Sequence, residues 1–510
     1  MTLAQIQPLA PVGLAIYEAL VAICIVVVVL RNGWAVIQLA VALLATWREA
    51  RPTRDAFDLW QRTEPRAPRI SVIAPAFNEE LSIAQSIRSL LSLQYPDLEV
   101  IVVNDGSKDR TMAILHDEFA LVPVVRETDR ALHTTRVAGC YASRNHDNLL
   151  VVDKENGRKA DATNAGISYS TGELICIIDA DSVIDPEGLL RAVQPLIEGD
   201  GTVIAVGGSI RIANGCTIRD GHVVQVGTGR DWLPLFQTLE YFRAFLGGRF
   251  ASAGISMLLL ISGAFGLFRR DVLLEAGGYQ HDSLGEDLEL LVRLQRIAFK
   301  QNRPHTVAYL PEIYCWTEAP SSIEGVRNQR TRWQQGGLRV FFKHRKMLFN
   351  PRYGRLGMVA FPLLALEDLI GPIVELLGYV LIIVGLVFGL LHPGVAVLYF
   401  LLTCVFGSLM TAGVLIIEEC QPRPVFAVRD FGWLLIAAVA ENFGYRQLIQ
   451  YCRLRGVVHF LRKKTAWAAV PRLGLGAPPG ASPRMGNRRK VDRSIEARQP
   501  APPASCPPAS

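Results

Sequence analysis

The sequence predicts an α/β domain with an open, mostly parallel sheet, inserted between transmembrane α-helices. Two observations predict this class. Half of the 510 residues are apolar, and the longest apolar runs lie near the start of the chain and in its second half. Between these runs, short apolar stretches alternate with amphipathic ones, which is the pattern of strands and helices that follow one another in an open sheet.

The first long apolar run predicts a transmembrane anchor within residues 1–50. Residues 14–30 are almost uncharged, and residues 35–47 continue the run after the short polar break Arg31-Asn32-Gly33. The run lacks the basic start and small-residue cleavage site of a signal peptide, so we expect the anchor to be retained. A buried core helix is the alternative, and the length and apolarity of the run argue against it.

A transmembrane helical hairpin is predicted at residues 356–420. Its apolar runs, 358–391 and 395–417, are each long enough to span a bilayer, which takes roughly 20 residues. Residues 426–465 contain a shorter apolar run, so we expect interfacial helices there, with a fourth span as the alternative. Residues 471–510 are rich in Pro, Ala, Gly, Ser and Arg, which predicts a disordered tail.

Basic residues beside the apolar runs predict the orientation. Arg48 follows the anchor and Arg345 and Lys346 precede the hairpin, whereas the turn at 391–394 has no Lys or Arg. Because basic residues collect on the cytosolic side, we expect a multi-pass protein of the cell (inner or plasma) membrane with a cytosolic central domain. The membrane flanks account for the small net charge of +6. Membrane lipid is therefore an expected partner, and nucleic acid is not.

The central domain is predicted at residues 67–346. Its short apolar runs end in polar residues and are typical of buried parallel strands, whose carboxyl ends bind ligands in open sheets. No G-x-G-x-x-G follows the first strand, which argues against a dinucleotide oxidoreductase. The predicted strands are 70–74, 100–104, 149–152 and 174–179, and the predicted helices are 79–91 and 159–169.

The first two strands end in candidate nucleotide-binding residues. After the first strand, Pro75 is predicted to fix a turn, Phe77 can stack on a base, and Asn78 or Glu79 can cap the next helix. After the second strand, Asp105 lies where a carboxylate can accept a hydrogen bond from a uracil imide. A turn and a helix cap are the plain alternatives for these two segments.

Charged residues follow the next two strands. Lys159 and Asp161 belong to the charged run that begins at Lys154, which either offsets diphosphate charge or is a solvated cluster. Asp179 and Asp181 come directly after the fourth strand, and side chains two residues apart point the same way at a strand end. Their carboxylates can converge on Mg²⁺ or Mn²⁺ that bridges to a diphosphate. Acids that merely cap the strand are the alternative.

Asp287 is the candidate general base. It follows Gly285 and Glu286 at a predicted helix start, so an N-terminal cap is the alternative. Transfer of a sugar from a nucleotide diphosphate requires deprotonation of an acceptor hydroxyl, for which one carboxylate suffices. Hydrolysis of a glycosidic bond uses two.

The segment Gln329-Arg330-Thr331-Arg332-Trp333 is the candidate site for the acceptor and the diphosphate. In a helix, Gln329, Arg332 and Trp333 stand at i, i+3 and i+4 and share one face. An amide, a guanidinium and an indole can hold a phosphate and offer a flat apolar surface to a sugar ring. Because the segment precedes the transmembrane hairpin, it indicates a membrane enzyme that acts on an activated sugar.

In order and spacing, these motifs resemble the D, DxD, ED and QxxRW motifs of family 2 membrane glycosyltransferases. That family includes cellulose, hyaluronan and poly-N-acetylglucosamine synthases. The resemblance covers about residues 70–345 and rests on Asp105, Asp179-Ala180-Asp181, Gly285-Glu286-Asp287 and Gln329-Arg330-Thr331-Arg332-Trp333. It implies a Rossmann-like GT-A fold, a UDP-sugar donor, Mg²⁺ or Mn²⁺, and inversion at the anomeric carbon.

The resemblance also implies roles for single residues. Asp105 would contact uracil, and Asp287 would be the base. Two positions depart from the family pattern, because many relatives carry a second aspartate where this chain has Asn104 and a glycine where it has Arg158. Lys159 and Asp161 would line the nucleotide-binding cleft. Asp179 and Asp181 would bind the diphosphate and the metal. The diphosphate and the acceptor sugar would be held by Gln329, Arg332 and Trp333.

The favoured function is a processive synthase that extends a β-linked polysaccharide and exports it through its own membrane helices. An accessory subunit for export or regulation is a further partner that the sequence leaves open. Glu367, Asp368 and Glu375 lie at membrane depth and favour a polar channel, although pairing within the helix bundle and a position at the membrane interface are alternatives. One rival function is a transferase that adds a single sugar to a lipid acceptor. The other is a non-catalytic sugar-nucleotide-binding subunit of a secretion complex, against which Asp287 and both DxD acids argue.

Overall fold

The central sequence forms one mixed sheet of ten strands and a separate two-stranded ribbon. The computed structural model describes residues 11–49, 56–128, 132–219, 221–229, 231–421 and 426–464, so the tail expected at 471–510 lies outside the described residues. The strands are β1 (Ile70–Ala76), β2 (Leu98–Asp105), β3 (Leu121–Val124), β4 (Val137–Ser143), β5 (Leu149–Lys154), β6 (Leu174–Ile178), β7 (Ser182–Ile184), β8 (Val203–Ile212), β9 (Thr217–Arg219), β10 (His222–Gln225), β11 (Phe265–Arg269) and β12 (Thr306–Thr317). The sheet order is β3-β4-β5-β2-β1-β6-β11-β8-β12-β7, and β9 pairs with β10.

The four predicted strands form the parallel centre of the sheet. β5, β2, β1 and β6 are neighbours and run parallel, and almost every residue in them is buried. Their continuous runs of Val, Ile and Leu are what a strand covered on both faces requires. Their carboxyl ends therefore meet at one edge of the sheet, which is called the carboxyl edge below.

The second half of the sheet brings a later segment to the same edge. β11 runs antiparallel to β6, and Phe265 pairs with Ile178. The residues just before β11, which include Gly263, therefore lie beside Asp179, which directly follows β6. This register is set by long-range pairing, because nearly ninety positions separate the two strands in sequence.

Helices flank the sheet and continue beyond it. The helices are α1 (Pro11–Glu49), α2 (Ala56–Thr63), α3 (Ile83–Leu91), α4 (Thr111–Phe119), α5 (Arg158–Tyr169), α6 (Gly188–Glu198), α7 (Trp232–Phe242), α8 (Ala251–Gly254), α9 (Arg270–Glu275), α10 (Glu286–Lys300), α11 (Ile323–Lys343), α12 (Phe361–Leu364), α13 (Gly371–Val387), α14 (Pro393–Phe400), α15 (Phe406–Glu419), α16 (Val428–Ala440) and α17 (Tyr445–Leu461). Short 3₁₀ helices occur at Glu64–Arg66, Arg345–Met347 and Pro351–Tyr353, and π-helical segments at Arg243–Phe250, Leu356–Ala360, Ala365–Ile370 and Leu401–Val405.

The turn after β1 differs from the prediction. Pro75 lies inside β1, paired with Val103, so it does not start the turn. Asn78 takes a positive φ of 58°, and the helix begins only at Ile83 with Ser82 as its N-cap. Neither Asn78 nor Glu79 caps α3, because the left-handed backbone at Asn78 ends the strand several residues before helical geometry begins.

The N-terminal helix α1 spans Pro11–Glu49, within the stretch where the anchor is expected. α1 continues without interruption through the polar break at residues 31–33. The polar side chains find partners on the later membrane helices, because Asn32 donates to the Leu402 carbonyl at 2.8 Å and Arg31 pairs with Glu375 at 3.0 Å. A polar break in an apolar run is therefore no break in the helix when neighbouring helices satisfy it.

Three described helical segments are long and apolar enough to cross a membrane: Val12–Arg48, Leu356–Val387 and Pro393–Glu419. Glu375, in the second of them, is 1% exposed and pairs with Arg31 and with Arg446 at 3.1 Å. Asp368 pairs with Arg453 at 2.9 Å. Glu375 and Asp368 are thus paired with arginines inside the helix bundle, which is one of the alternatives that the sequence left open.

Candidate active site

The loop after β1 is fastened to the loop after β2 at the carboxyl edge. The Asn78 N–H donates to the Ser107 Oγ at 3.0 Å, and the Glu79 N–H donates to the Thr111 Oγ1 at 2.8 Å. These bonds fix the loop that carries Phe77, whose side chain is 45% exposed. An exposed aromatic ring on a fixed loop is suited to stack on a nucleotide base.

Asp105 lies beneath the carboxyl edge and is only 3% exposed. Its carboxylate accepts hydrogen bonds from the Lys154 ammonium at 2.8 Å, the Asn156 amide at 3.0 Å, and the backbone N–H groups of Gly157 and Arg158, each at 2.9 Å. These four donors satisfy both oxygens. The side chain therefore fixes the loop that precedes α5. Its contact with uracil stays a prediction, and for that contact the uracil imide has to replace one of these four donors.

Asp161 is the second carboxylate that contacts this ammonium. It pairs with Lys154, whose side chain is fully buried, and accepts from the Thr135 N–H at 3.0 Å. Burial alone would raise the pKa of Asp161, but the hydrogen bonds from Lys154 and Thr135 hold this pKa below its ordinary value. The contact of Asp161 with a nucleotide also stays a prediction, because the structure uses the carboxylate internally.

The entry into α5 contains a left-handed residue. Arg158 has a φ of 75°, a region in which glycine carries no steric cost. This backbone gives a physical reason for the glycine that many family members carry at this position. The next residue, Lys159, places its ammonium 2.6 Å from the Asp179 Oδ1 and 3.3 Å from the Gly263 carbonyl oxygen.

Lys159 is held in its charged form. Burial alone would lower the pKa of this ammonium, but the charges of Asp179, Asp287 and Glu286 outweigh it and raise the pKa. The lysine therefore joins the DxD turn to the start of α10. A fixed cation between these carboxylates suits a site that receives a diphosphate.

Asp179 and Asp181 flank a tight turn between β6 and β7. The Ser182 N–H donates to the Asp179 carbonyl at 3.0 Å, and the two acids are 32% and 4% exposed, respectively. The described residues contain no group of three or more His, Cys, Asp or Glu side chains that could hold a metal ion. Two carboxylates do fit Mg²⁺ or Mn²⁺ that takes its other ligands from a diphosphate and water.

Asp287, in the first turn of α10, is half-buried. Its Oδ1 is buried without a hydrogen-bond partner among the described residues. A Cβ at Gly263 would collide with this carboxylate, so the glycine leaves the space that Asp287 occupies. Burial raises the pKa of Asp287 to about 7 against the charges of Lys159 and Arg332, and the neighbouring half-buried Glu286 adds to the rise. A carboxylate with a pKa near neutrality is suited to accept a proton.

Arg330 corrects one part of the sequence-based site. It is 3% exposed, pairs with Glu240 at 2.8 Å, and lies 4.1 Å from the Trp333 ring centroid. The Tyr445 hydroxyl donates to the same Glu240 carboxylate at 2.7 Å. Arg330 therefore supports the Trp333 indole instead of facing a diphosphate or acceptor, because its guanidinium is already committed to Glu240.

Gln329, Arg332 and Trp333 lie on the same helix, α11, as Arg330. Trp333 is 43% exposed, and Gln329 is half-buried and accepts from Arg330 at 2.6 Å. Arg332 lies close enough to Asp287 for its charge to lower the pKa of that acid. The structure thus brings the α11 motif and the candidate base together, although more than forty residues separate them in sequence.

Arg249 is a site residue that the sequence-based reasoning missed. It lies in the π-helical segment Arg243–Phe250, and its guanidinium carbon is 3.9 Å from the Phe245 ring centroid. Burial lowers the pKa of Arg249, and the charges of Tyr309, Tyr241 and Asp287 oppose this change. No motif in the sequence pointed to it, because only the tertiary fold brings it near Asp287. Glu240 and Tyr445 were missed for the same reason.

The parallel sheet, the acids at its carboxyl edge and the α11 motif near a candidate base match the pattern expected of a glycosyltransferase. Two family models match the chain: "Glycosyl transferase family 2" over residues 71–261, and "Glycosyl transferase family group 2" over residues 174–413. The chain therefore carries a family 2 glycosyltransferase domain, and the GT-A fold class and the enzyme class expected from its sequence are confirmed. With three apolar helices of sufficient length, it is a membrane protein of that family.

Curated relatives include polymer synthases. Poly-beta-1,6-N-acetyl-D-glucosamine synthase of Staphylococcus epidermidis is 28% identical over 274 residues, which are 54% of this chain and 56% of the relative. The Staphylococcus aureus synthase is 26% identical over 288 residues, or 56% and 59% of the two chains. A probable glycosyltransferase, YdaM of Bacillus subtilis, is 27% identical over 301 residues, or 58% and 62%. The chain spans little more than half the length of the curated relatives that it matches.

Solved structures that are similar to this chain include a mannosyltransferase of Pyrobaculum calidifontis in complex with GDP-Man and Mn²⁺. It is 19% identical, with 89% of this chain and 99% of that chain covered and a TM-score of 0.49. Glucosyl-3-phosphoglycerate synthase of Mycobacterium tuberculosis, in complex with Mn²⁺, UDP-glucose and phosphoglyceric acid, is 20% identical, with 53% and 77% covered and a TM-score of 0.31. Likenesses of this strength carry no conclusion about donor or metal.

Proposed function

We propose that this protein transfers a sugar, with inversion, from a UDP-sugar to the growing end of a β-linked polysaccharide. The observation that carries the proposal is the half-buried Asp287 carboxylate, which lies within the electrostatic reach of Lys159, Asp179 and Arg332. In this proposal, Asp287 acts as the base between the strand-end acids and the α11 motif, whose charges both influence it. The polymeric product is supported by the staphylococcal relatives, which are named as poly-beta-1,6-N-acetyl-D-glucosamine synthases.

In the proposed reaction, an acceptor hydroxyl attacks the anomeric carbon on the face opposite the diphosphate. Asp287 accepts the hydroxyl proton as the new C–O bond forms. The bond from the anomeric carbon to the diphosphate oxygen breaks, and its electron pair leaves with UDP. A pKa of about 7 lets Asp287 be ionised near neutral pH and still bind the proton firmly in the transition state.

The donor occupies the carboxyl edge of the sheet in this proposal. Phe77 stacks on the uracil, and Lys159 and Arg332 offset the charge of the departing diphosphate. Asp179 and Asp181 would hold Mg²⁺ or Mn²⁺, which neutralises diphosphate charge when bound. Their placement at one turn supports this role.

The acceptor lies against Trp333. Its exposed indole, supported from beneath by Arg330, offers a flat apolar surface to a sugar ring. Glu240, which holds Arg330, also lines a cavity of about 340 Å³ that reaches Arg31 and Glu375 among the membrane helices. A cavity with charged walls that extends from Glu240, beneath the acceptor platform, to residues of the membrane helices supports export of the polymer through these helices, with the central domain on the cytosolic side.

The first test is a donor panel. Purified full-length protein in detergent or nanodiscs is incubated with each of several labelled UDP-sugars and Mn²⁺ or Mg²⁺, and both UDP release and product length are measured. We expect one UDP-sugar to give metal-dependent UDP release and a long, chain-type product. Absence of UDP release with every UDP-sugar, in protein that still unfolds cooperatively, would refute the proposal.

The product also decides between polymer and lipid acceptors. A ladder that resists organic extraction and lengthens with time is expected for processive synthesis. A single labelled sugar that partitions with the lipid phase would assign the chain to lipid glycosylation instead.

Asp282→Asn serves as a matched control for changes at Asp287, because the Asp282 side chain lies on the same segment and is 81% exposed.

A further inference from the structure

A second cavity, of about 540 Å³, lies away from the candidate active site. It is formed where the end of α10 and the start of β12 approach the residues that lead into the Leu356–Val387 segment. Phe299, Leu258 and Leu356 provide an apolar wall, and Arg303, Arg352 and Arg355 provide cations. A volume of this size is typical of small-molecule sites.

The charge of this cavity is not balanced by acids. No Asp or Glu is among its lining residues. Arg303 pairs with Glu275 at 2.9 Å, whereas Arg352 and Arg355 have no carboxylate within ion-pair distance among the described residues. The cavity beside Glu240 differs, because Arg31 and Arg446 there are matched by Glu375. Two solvent-exposed arginines without a carboxylate partner, at the rim of a concave site, leave guanidinium donors available to an anion.

The rim is fixed before any ligand arrives. The Arg352 N–H donates to the Asn350 side chain at 3.0 Å, which caps the 3₁₀ turn Pro351–Tyr353. One guanidinium N–H of Arg355 donates to the Ile255 carbonyl at 3.3 Å. The remaining N–H groups of Arg355 and the guanidinium of Arg352 can therefore bind an anion without rebuilding the loop.

We propose that this cavity binds the phosphate group of an anionic lipid headgroup at the membrane surface. Arg352 and Arg355 immediately precede a helix that is apolar enough to span the bilayer, so they lie at headgroup level in the topology proposed above. The apolar wall would accept the first part of the lipid chain beneath the phosphate. Because Gln295 and Phe299 of α10 line the same cavity, a bound lipid fixes the C-terminal half of the helix that begins at Glu286.

The test compares two double variants of the full-length protein that remove equal charge. Arg352→Gln with Arg355→Gln changes the cavity, and Arg345→Gln with Lys346→Gln changes exposed cations of the same flank that do not line it. Binding of short-chain phosphatidylglycerol is measured by titration calorimetry in neutral detergent. Parallel titrations use short-chain phosphatidylcholine and inorganic phosphate, and donor binding serves as a check on folding.

We expect wild-type protein and the Arg345/Lys346 variant to bind phosphatidylglycerol equally, and the Arg352/Arg355 variant to bind about 30-fold more weakly. Equal losses in both variants would overturn the proposal, because they would mean unspecific attraction to a basic flank. Unchanged binding in the Arg352/Arg355 variant would overturn it as well. Inorganic phosphate that binds as tightly as phosphatidylglycerol, and is lost in the same variant, would overturn the assignment to a lipid, because the site would then recognise a soluble anion. The result does not depend on the donor or product of the transferase.

Discussion

The donor end and the acceptor end of the candidate site differ in how their carboxylates are neutralised. At the donor end, Asp105 and Asp161 are buried and share the ammonium of Lys154. At the acceptor end, Asp287 has a buried oxygen without a partner among the described residues, and burial raises its pKa to about 7. One set of acids is therefore satisfied by the chain itself, and the other acid is left ready for a proton.

This difference separates a structural use of charge from a chemical one. A buried ion pair with all its hydrogen bonds satisfied holds backbone in place, and removal of one partner leaves an uncompensated charge. A half-buried carboxylate without full compensation costs stability and gains basicity. The two uses occur within one fold because Lys154 ends a strand at the centre of the sheet, whereas Asp287 begins a helix beside the glycine at position 263.

The largest expected effect comes from removal of the base. We expect Asp287→Asn to lower the rate of sugar transfer by about 10³-fold or more, because the acceptor hydroxyl then lacks a proton acceptor. Affinity for UDP should change little. Initial rates of UDP release and titration calorimetry with UDP measure the two quantities, and Asp282→Asn should leave both unchanged. Substantial turnover in the Asp287 variant would remove this residue from the base role.

At the donor end, the expected effect is on stability. Lys154→Met leaves Asp105 and Asp161 buried without their cation, so we expect the free energy of unfolding to fall by about 3–5 kcal/mol. Thermal or denaturant unfolding of the purified protein measures this change. Lys108→Met, at an exposed position of the loop after β2, is the matched control and should have little effect. An unchanged unfolding midpoint for Lys154→Met would contradict the stabilising role of Lys154 between Asp105 and Asp161.

The acceptor platform gives an intermediate effect. Trp333→Ala removes the exposed indole, and we expect acceptor extension to fall about tenfold with donor binding retained. Single-turnover transfer to a supplied oligosaccharide primer and UDP titration separate the two steps. Trp47→Ala, at a position that is 78% exposed on α1, controls for loss of a surface tryptophan. Unaltered chain growth in the Trp333 variant would rule out the platform.

The pH dependence sharpens the contrast further. Because the pKa of Asp287 is about 7, kcat/KM should rise by up to tenfold per pH unit below that value and level off above it. Initial rates from pH 5.5 to 8.5 in the presence of a constant metal concentration test this profile. A rate that is flat between about pH 6 and 8 would mean that another group, or a non-chemical step, controls the reaction.

The last expected effect is a gain in stability. The pKa of an aspartate is about 3.9 in an unfolded chain and about 7 for folded Asp287. Since the folded state binds this proton more tightly, ionisation costs stability as the pH rises above about 4, and the cost is complete above about 7. Asp287→Asn should therefore unfold at an equal or higher temperature than wild type at pH 8, with the gain vanishing at low pH. An unfolding temperature of Asp287→Asn below that of wild type at pH 8 would contradict the raised pKa of Asp287.

Much of the fold was predictable from local pattern. The four central strands and α5 were placed within a few residues, because buried parallel strands are continuous apolar runs and the helices between them are amphipathic. The start of α3 was wrong, because Asn78 adopts a left-handed backbone that nothing in the surrounding pattern required. The polar residues at 31–33 do not interrupt α1, because their partners come from distant helices.

By itself, the sequence determined the family, the order of the strands and helices, and the acids at the strand ends, because these depend on periodicity and short motifs. Only the tertiary structure decided which charged groups are open. It buried Asp105, Asp161 and Arg330 in internal pairs and left Asp287 beside the α11 face. The physical reason is that desolvation and counter-ions depend on side chains that are remote in sequence, such as Glu240 for Arg330, and spacing alone carries no information about them.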